Sequence, residues 1–164
     1  MNQNLSELFE KMHAAGKLAA RTLDEITNYV KSGVSTNFLD KICYEFIKDN
    51  GGNSAPLYYR GYPKSCCISP NHVVCHGIPS DKILRDGNII NIDVTSVVDG
   101  YHGDTSRMFY VGNISIKSKN LVSATYESMI KAISIIKPGI KLGDIGATIQ
   151  EYVEKKGFSV VRAF

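Results

Sequence analysis

No stretch of this chain approaches the ~18 uncharged apolar residues that a membrane-spanning helix needs, so no membrane helix is expected. The amino-terminal "MNQNLSELFEKMHAAG" carries Glu7 and Glu10 and no apolar run, which argues against a secretory leader. Blocks of like charge are missing as well. Lys plus Arg number 19 against 16 Asp plus Glu, a net +3, and the basic residues are scattered. That reads as a solvated surface and gives no reason to expect specific DNA binding. Four cysteines without a leader point to reduced thiols in the cytoplasm. What remains is ordinary for a globular chain: 164 residues, 43% hydrophobic and 21% charged. One domain of that length buries roughly 70% of the surface of its unfolded chain.

"LSELFEKMHAAGKLAARTLDEITNYV" has helical periodicity, with Leu5, Leu8, Phe9, Met12, Ala15, Ala19, Leu23, Ile26 and Val30 at three- and four-residue steps. Ser32-Gly33 ends it, and Thr36 is the expected N-cap of a second helix that stops at Gly51-Gly52. "KSCCIS", "HVVCHG", "NIINIDVTSVV" and "YHGDTSRMFYV" then read as strands separated by turn residues. The class is α+β.

The helical pattern returns in a form that repeats the first. "KSGVSTNFLDKICYEFIKDNG" aligns with "KPGIKLGDIGATIQEYVEKKG" at one offset, 139 − 33 = 106. Residues 1–117 are the expected first half-repeat, and 118–164 the start of the second. In the first copy about sixty residues of strands follow Gly51 before the second begins, whereas only "FSVVRAF" follows Gly157. An unpaired hydrophobic strand end is a liability, so the chain is expected to be a fragment of a larger two-half domain.

Asp99-Gly100 is a two-residue type I′ turn signal. It pairs Val98 with Tyr101, Val97 with His102 and Thr95 with Asp104. Alternation then puts Asp93, Thr95, His102 and Asp104 on one face. Aspartate is depleted in strands, so two on one face need a reason. At about 5 Å in a partly desolvated site, with an effective dielectric of about 20, their charges repel by about 3 kcal/mol. A divalent cation reverses that problem. Asp93, His102 and Asp104 together would make a mononuclear site, unless Gly103 forms a bulge that turns His102 away. The bland alternative is a solvent-facing acidic strand face.

"SCCISPNHVVCHGIP" has the composition of a zinc site but not its spacing. Cys66 and Cys67 are adjacent in a strand, so their side chains point to opposite faces. Structural zinc motifs instead pair ligands two to four residues apart in a turn. The stretch is expected to be a β-hairpin turning at Ser69-Pro70-Asn71.

"GYPKSCCIS", "NHVVCHGIP", "GNIINIDVT" and "DGYHGDTSRMF", in this order and spacing, closely resemble the motifs of bacterial type I methionine aminopeptidases. "KSGVSTNFLDKIC" and "SVVR" fit too, so the resemblance runs from about Phe9 to Arg162. It implies a pita-bread fold, in which two pseudo-symmetric halves each place a helix pair behind curved antiparallel strands. It implies removal of the initiator methionine from nascent chains with a small second residue, near the ribosome, by a cytoplasmic monomer. It also implies two divalent ions (Co, Mn, Fe or Zn), with Asp93 and Asp104 as two of five ligands. His76 would approach the substrate amide, and Tyr59, Tyr62, Cys67 and His76 would line the substrate pocket. Asn71 and Val73 lie where some members bind a monovalent cation. The family's remaining ligands, one histidine and two glutamates, follow the position of Phe164, so the chain alone is expected to be inactive. The alternative is a non-catalytic module or degenerate fragment that binds ribosome or peptide.

Overall fold

The computed structural model describes residues 4–162. Helices α1 (Leu5–Ile26) and α2 (Thr36–Asp49) come first, followed by strands β1 (Asn53–Ser54), β2 (Cys67–Pro70), β3 (Ile89–Val98) and β4 (Tyr101–Tyr110). Helices α3 (Ile116–Ser134) and α4 (Leu142–Lys155) complete the order. Contacts divide the chain into two units, Met1–Ile114 and Ser115–Phe164.

The first unit is organised by β3. β4 pairs antiparallel with its whole length, from Ile89↔Tyr110 to Val98↔Tyr101. On its other edge, β2 pairs with the first half and β1 with the second. The turn is as expected: Asp99 and Gly100 have φ of 50° and 82°, the left-handed pair that a type I′ hairpin requires. With that register, alternate residues divide cleanly between two faces. Ile90, Ile92 and Val94 are fully buried in the core. Asp93 and Thr95 take the opposite face. Each buried Ile or Val contributes about 1.5–3 kcal/mol.

α1 and α2 supply the other side of that core through Leu18, Ala19, Leu23, Ile26, Leu39, Cys43 and Ile47. Two contacts fix α1 on the hairpin. The Ser96 hydroxyl donates to the Ala15 carbonyl at 2.8 Å, and Arg107 reaches the Leu23 carbonyl (3.3 Å) and Asp24 (2.9 Å). Gly103 makes the close approach possible, since a Cβ there would lie 2.2 Å from the Ala15 carbonyl carbon.

Several local expectations change. Gly103 is no bulge, because Ser96↔Gly103 keeps the register unbroken; it is glycine for lack of space beneath α1. α1 ends at Ile26 rather than Val30, and the first turns of its apolar stripe stand in solvent, with Leu5, Phe9 and Met12 all exposed. The cap of α2 is Ser35, whose hydroxyl accepts from the Phe38 amide at 3.1 Å. Thr36 instead donates to the Ser80 carbonyl at 2.9 Å. "HVVCHG" forms no strand; residues 71–79 are a loop, so β2 has no hairpin partner of its own. Residues 158–162 of the terminal "FSVVRAF" form no strand, and Ala163 and Phe164 lie outside the described residues.

In the second unit, α3 is capped by Ser115, which accepts from the Ser118 amide at 3.1 Å. The Tyr152 hydroxyl on α4 donates to Glu127 on α3. α2 and α4 each have fourteen residues, and Thr36 to Leu142 is the 106-residue offset. The glycines that flank them adopt matching left-handed conformations: φ is 91° at Gly33 and 95° at Gly139, then 78° at Gly51 and 79° at Gly157. No helix among the described residues is long and apolar enough to cross a membrane.

Candidate active site

The hairpin face turned away from α1 is the floor of an open cavity of about 950 Å³, lined by Asp93, Thr95, His102 and Asp104. Thr95 and Asp104 are direct cross-strand partners, and the Thr95 hydroxyl donates to Asp104 Oδ1 at 3.1 Å. Asp93 is the diagonal neighbour, opposite Ser106. Partial burial, then the charge of Asp104, push the Asp93 carboxyl above the ordinary carboxylate range, while nearby His76 acts in the opposite direction. The two carboxylates therefore converge, and they strain each other electrostatically.

One wall comes from β2 and the loop after it. Cys67 pairs with Asp93 across the sheet and lines the cavity, whereas Cys66 turns into the core. Burial raises the Cys67 thiol, opposed in part by Tyr62. The loop then doubles back onto β2. The Ile68 amide donates to the Gly77 carbonyl at 2.8 Å, and the Gly77 amide donates to Ser69 Oγ at 3.0 Å. A Cβ at Gly77 would lie 2.2 Å from the Ile68 carbonyl oxygen, so only glycine fits. That clamp holds His76 beside the carboxylates, in a left-handed conformation (φ 53°). Such a conformation costs a non-glycine residue about 1–2 kcal/mol, and the fixed loop enforces it.

The opposite wall is the segment after β1. The Ala55 amide donates to the Thr95 carbonyl at 2.9 Å and launches the chain across the floor. A tight 3-10 turn, Tyr59–Gly61, follows. The Tyr62 hydroxyl ties it down by donating to the Cys66 (3.1 Å) and Gly77 (3.0 Å) carbonyls. Burial, then the Cys67 thiol beside it, raise the Tyr62 phenol well above its usual value, so it stays a donor. Tyr59, Tyr62, Cys67 and His76 thus share one cavity with both aspartates.

His102 lines this cavity too, yet no group of three or more His, Cys, Asp or Glu side chains among the described residues is placed to hold a metal ion. The mononuclear Asp93–His102–Asp104 site is not formed. The pair spacing explains this: His102 sits opposite Val97, two residues along β4 from Asp104, or roughly 7 Å. Asn71 and Val73 lie outside the cavity lining, in the loop after β2. Asn71 brackets the start of β3, its amide donating to the Ile89 carbonyl (2.8 Å) and its Oδ1 accepting from the Ile89 amide (3.1 Å).

Two residues escaped the sequence reading. Asp40 is buried on α2 and accepts from Ser65 N (2.8 Å), Ser65 Oγ (2.7 Å) and Cys66 N (3.1 Å), which fixes the start of β2 and hence Cys67. Its signal was available, because Thr36, Asp40, Cys43 and Ile47 form the buried stripe of the helix. Arg60 lines the cavity from the 3-10 turn, between the two tyrosines.

Residues 10–164 match the model of metallopeptidase family M24. The chain belongs to that family. This M24 chain is 58% identical over 156 residues to a methionine aminopeptidase of Rickettsia prowazekii, a match covering 95% of the chain and 60% of that protein. It is 56% identical over 160 residues to the methionine aminopeptidase of Escherichia coli K12, covering 96% and 61%. The crystal structure of the Rickettsia prowazekii methionine aminopeptidase superposes with a TM-score of 0.96 at 56% identity, covering 98% of the chain and 65% of that structure. The fold is the α+β pita-bread fold. The M24 chain thus spans about 60% of the length of the curated relatives that it matches.

Proposed function

We propose that this M24 chain carries the metal-holding floor and the methionine-binding walls of a methionine aminopeptidase. The reaction would be removal of the initiator methionine from nascent proteins with a small second residue, near the ribosome in the cytoplasm, by a monomer. Residues 1–117 would be its first half-repeat and 118–164 the start of its second, a reading supported by the shared 106-residue offset. The observation that carries the assignment is the convergence of Asp93 and Asp104 on the floor of the cavity that Tyr59, Tyr62, Cys67 and His76 wall.

The donor set suits a hard or borderline divalent ion such as Co, Mn, Fe or Zn. The Asp93 carboxylate, raised by partial burial and by the charge of Asp104, gains when a cation neutralises it. Asp93 and Asp104 would hold it. When bound, such an ion polarises a carbonyl and acidifies water for hydrolysis. Thr95 orients Asp104 through its hydroxyl. His76 would face the substrate amide nitrogen and hold a hydrogen bond there through the reaction. The aromatic rings of Tyr59 and Tyr62 and the sulfur of Cys67 suit a flexible thioether side chain. Backbone oxygens of Asn71 and Val73 would take a monovalent cation away from the chemistry. A second reading, binding of peptide without turnover, is favoured by the two-carboxylate floor, since no third ligand joins it among the described residues.

The test uses the 164-residue chain and Asp104→Ala. Mn²⁺ titration followed by electron paramagnetic resonance should show weak binding that the variant loses. Equal binding by both chains would refute the floor assignment. Methionine release from Met-Ala-Ser with Co²⁺ or Mn²⁺ is expected to be absent. Release that is chelator-sensitive and lost in Asp104→Ala would overturn the reading without turnover.

A further inference from the structure

On the peptide-binding reading above, the cavity has one charged group with no assigned task. Arg60 is exposed on its wall, and its guanidinium lies 5.4 Å from the centre of the Tyr59 ring. No ion pair or hydrogen bond occupies its five donors among the described residues.

The backbone beneath it is unusual. Tyr58, Arg60 and Gly61 have φ of 68°, 48° and 84°, so two side-chain-bearing residues sit in the left-handed region within three positions. A turn needed only for its shape would be easiest with glycine or asparagine at those positions. Of the two, Arg60 lines the cavity, and strain held at a bulky residue in a cavity wall points to use of its side chain. The turn is also held at three places: Ala55 to Thr95, the Tyr58 amide to the Tyr62 carbonyl at 2.7 Å, and the Tyr62 hydroxyl to the Cys66 and Gly77 carbonyls. Arg60 therefore projects from a fixed mount, with its side chain stacked on an aromatic ring. That lowers the ordering cost of a new contact.

The cavity is large for one side chain. Its volume of about 950 Å³ is at the upper end of the ~300–1,000 Å³ range of ligand pockets. A peptide whose first residue occupies the Tyr62–Cys67 wall leaves room for its following residues. The other charges in the lining, Asp93 and Asp104, are negative and repel any acidic group near the floor. Arg60 is the lining's one permanently cationic side chain, and a guanidinium takes a carboxylate through two parallel hydrogen bonds.

We propose that Arg60 is a specificity-determining residue that binds a carboxylate of the peptide downstream of its first two residues. This carboxylate is either an acidic side chain at the third position or the free carboxy-terminus of a short peptide.

Calorimetric titration of the 164-residue chain in Mn²⁺ buffer with Met-Ala-Glu-amide, Met-Ala-Gln-amide and Met-Ala-Gln with a free carboxylate tests it. The Glu amide should bind about five- to tenfold tighter than the Gln amide, an advantage that weakens with salt. A comparable gain for the free carboxylate alone would identify the terminus as the group bound. Arg60→Gln should bring the three affinities together, and Arg60→Lys should restore part of the preference, which loss of folding does not mimic. Circular dichroism checks that both variants are folded. Equal affinity of the three peptides for the wild type, or a preference that survives Arg60→Gln, overturns the assignment and leaves the peptide cavity standing. Failure of every peptide to bind overturns the peptide reading and this assignment with it.

Discussion

Asp93→Asn should stabilise the metal-free chain and destroy its response to metal. The substitution keeps the size and one oxygen of the side chain but removes one of two converging negative charges. At about 5 Å and an effective dielectric of about 20, the full repulsion is about 3 kcal/mol. Asp93 is only half buried, so solvent screening reduces the recoverable part to about 1 kcal/mol. For a chain of this size that raises Tm by about 2–4 °C. The sign with pH follows from the raised carboxyl. A carboxylate lifted in the folded state opposes folding once ionised, so the advantage of Asn is complete above the folded-state value and fades as pH falls to the ordinary carboxylate range. Thermal unfolding at neutral pH, with chelator and then with saturating Mn²⁺, reads both effects. With chelator the variant should melt higher. With Mn²⁺ the order should reverse, because only the wild type gains binding free energy. A variant that melts lower in chelator, or gains as much from Mn²⁺ as the wild type, would refute the reasoning.

Gly103→Ala should destabilise the chain by about 3 kcal/mol or more, read by urea unfolding, because the new Cβ meets rigid α1 backbone at Ala15 and Gly16. Gly146→Ala is the opposite case: its added methyl meets nothing within 4 Å inside α4, so a gain of about 0.5–1 kcal/mol is expected in the same assay. Asp40→Ala leaves the Ser65 and Cys66 amides buried without an acceptor, while the Ser65 hydroxyl keeps the residue-40 carbonyl, and should cost about 3 kcal/mol, with the Cys67 wall loosened as judged by faster alkylation of that thiol. Thiol titration of the native chain should show one fast cysteine, the exposed Cys75, with Cys43, Cys66 and Cys67 slow until denaturant is added.

The hairpin carrying Asp93 and Asp104 was legible in the sequence because its information is local. A two-residue Asp-Gly turn sets the register, and strand parity then sets the face. The fourteen-residue span shared by α2 and α4, and the glycines beside them, was legible for a similar reason: residues that need a left-handed backbone recur at a fixed offset. The opposite faces of Cys66 and Cys67 likewise followed from strand alternation.

Other features depended on contacts between distant segments. "HVVCHG" has the β-branched composition of a strand, but the Gly77 clamp on Ile68 and Ser69 uses its backbone differently and fixes His76 in a left-handed loop. Gly103 looked like a bulge because its partner, the backbone of α1, lies almost ninety residues earlier in the chain. Arg60 sat unremarked between two tyrosines until the 3-10 turn placed it on the cavity wall. The sequence alone determined which side chains share a strand face, because period and turn chemistry act over a few residues. Only the tertiary structure decided which loops close over that face, since that depends on backbone hydrogen bonds and close approaches between segments far apart in the chain.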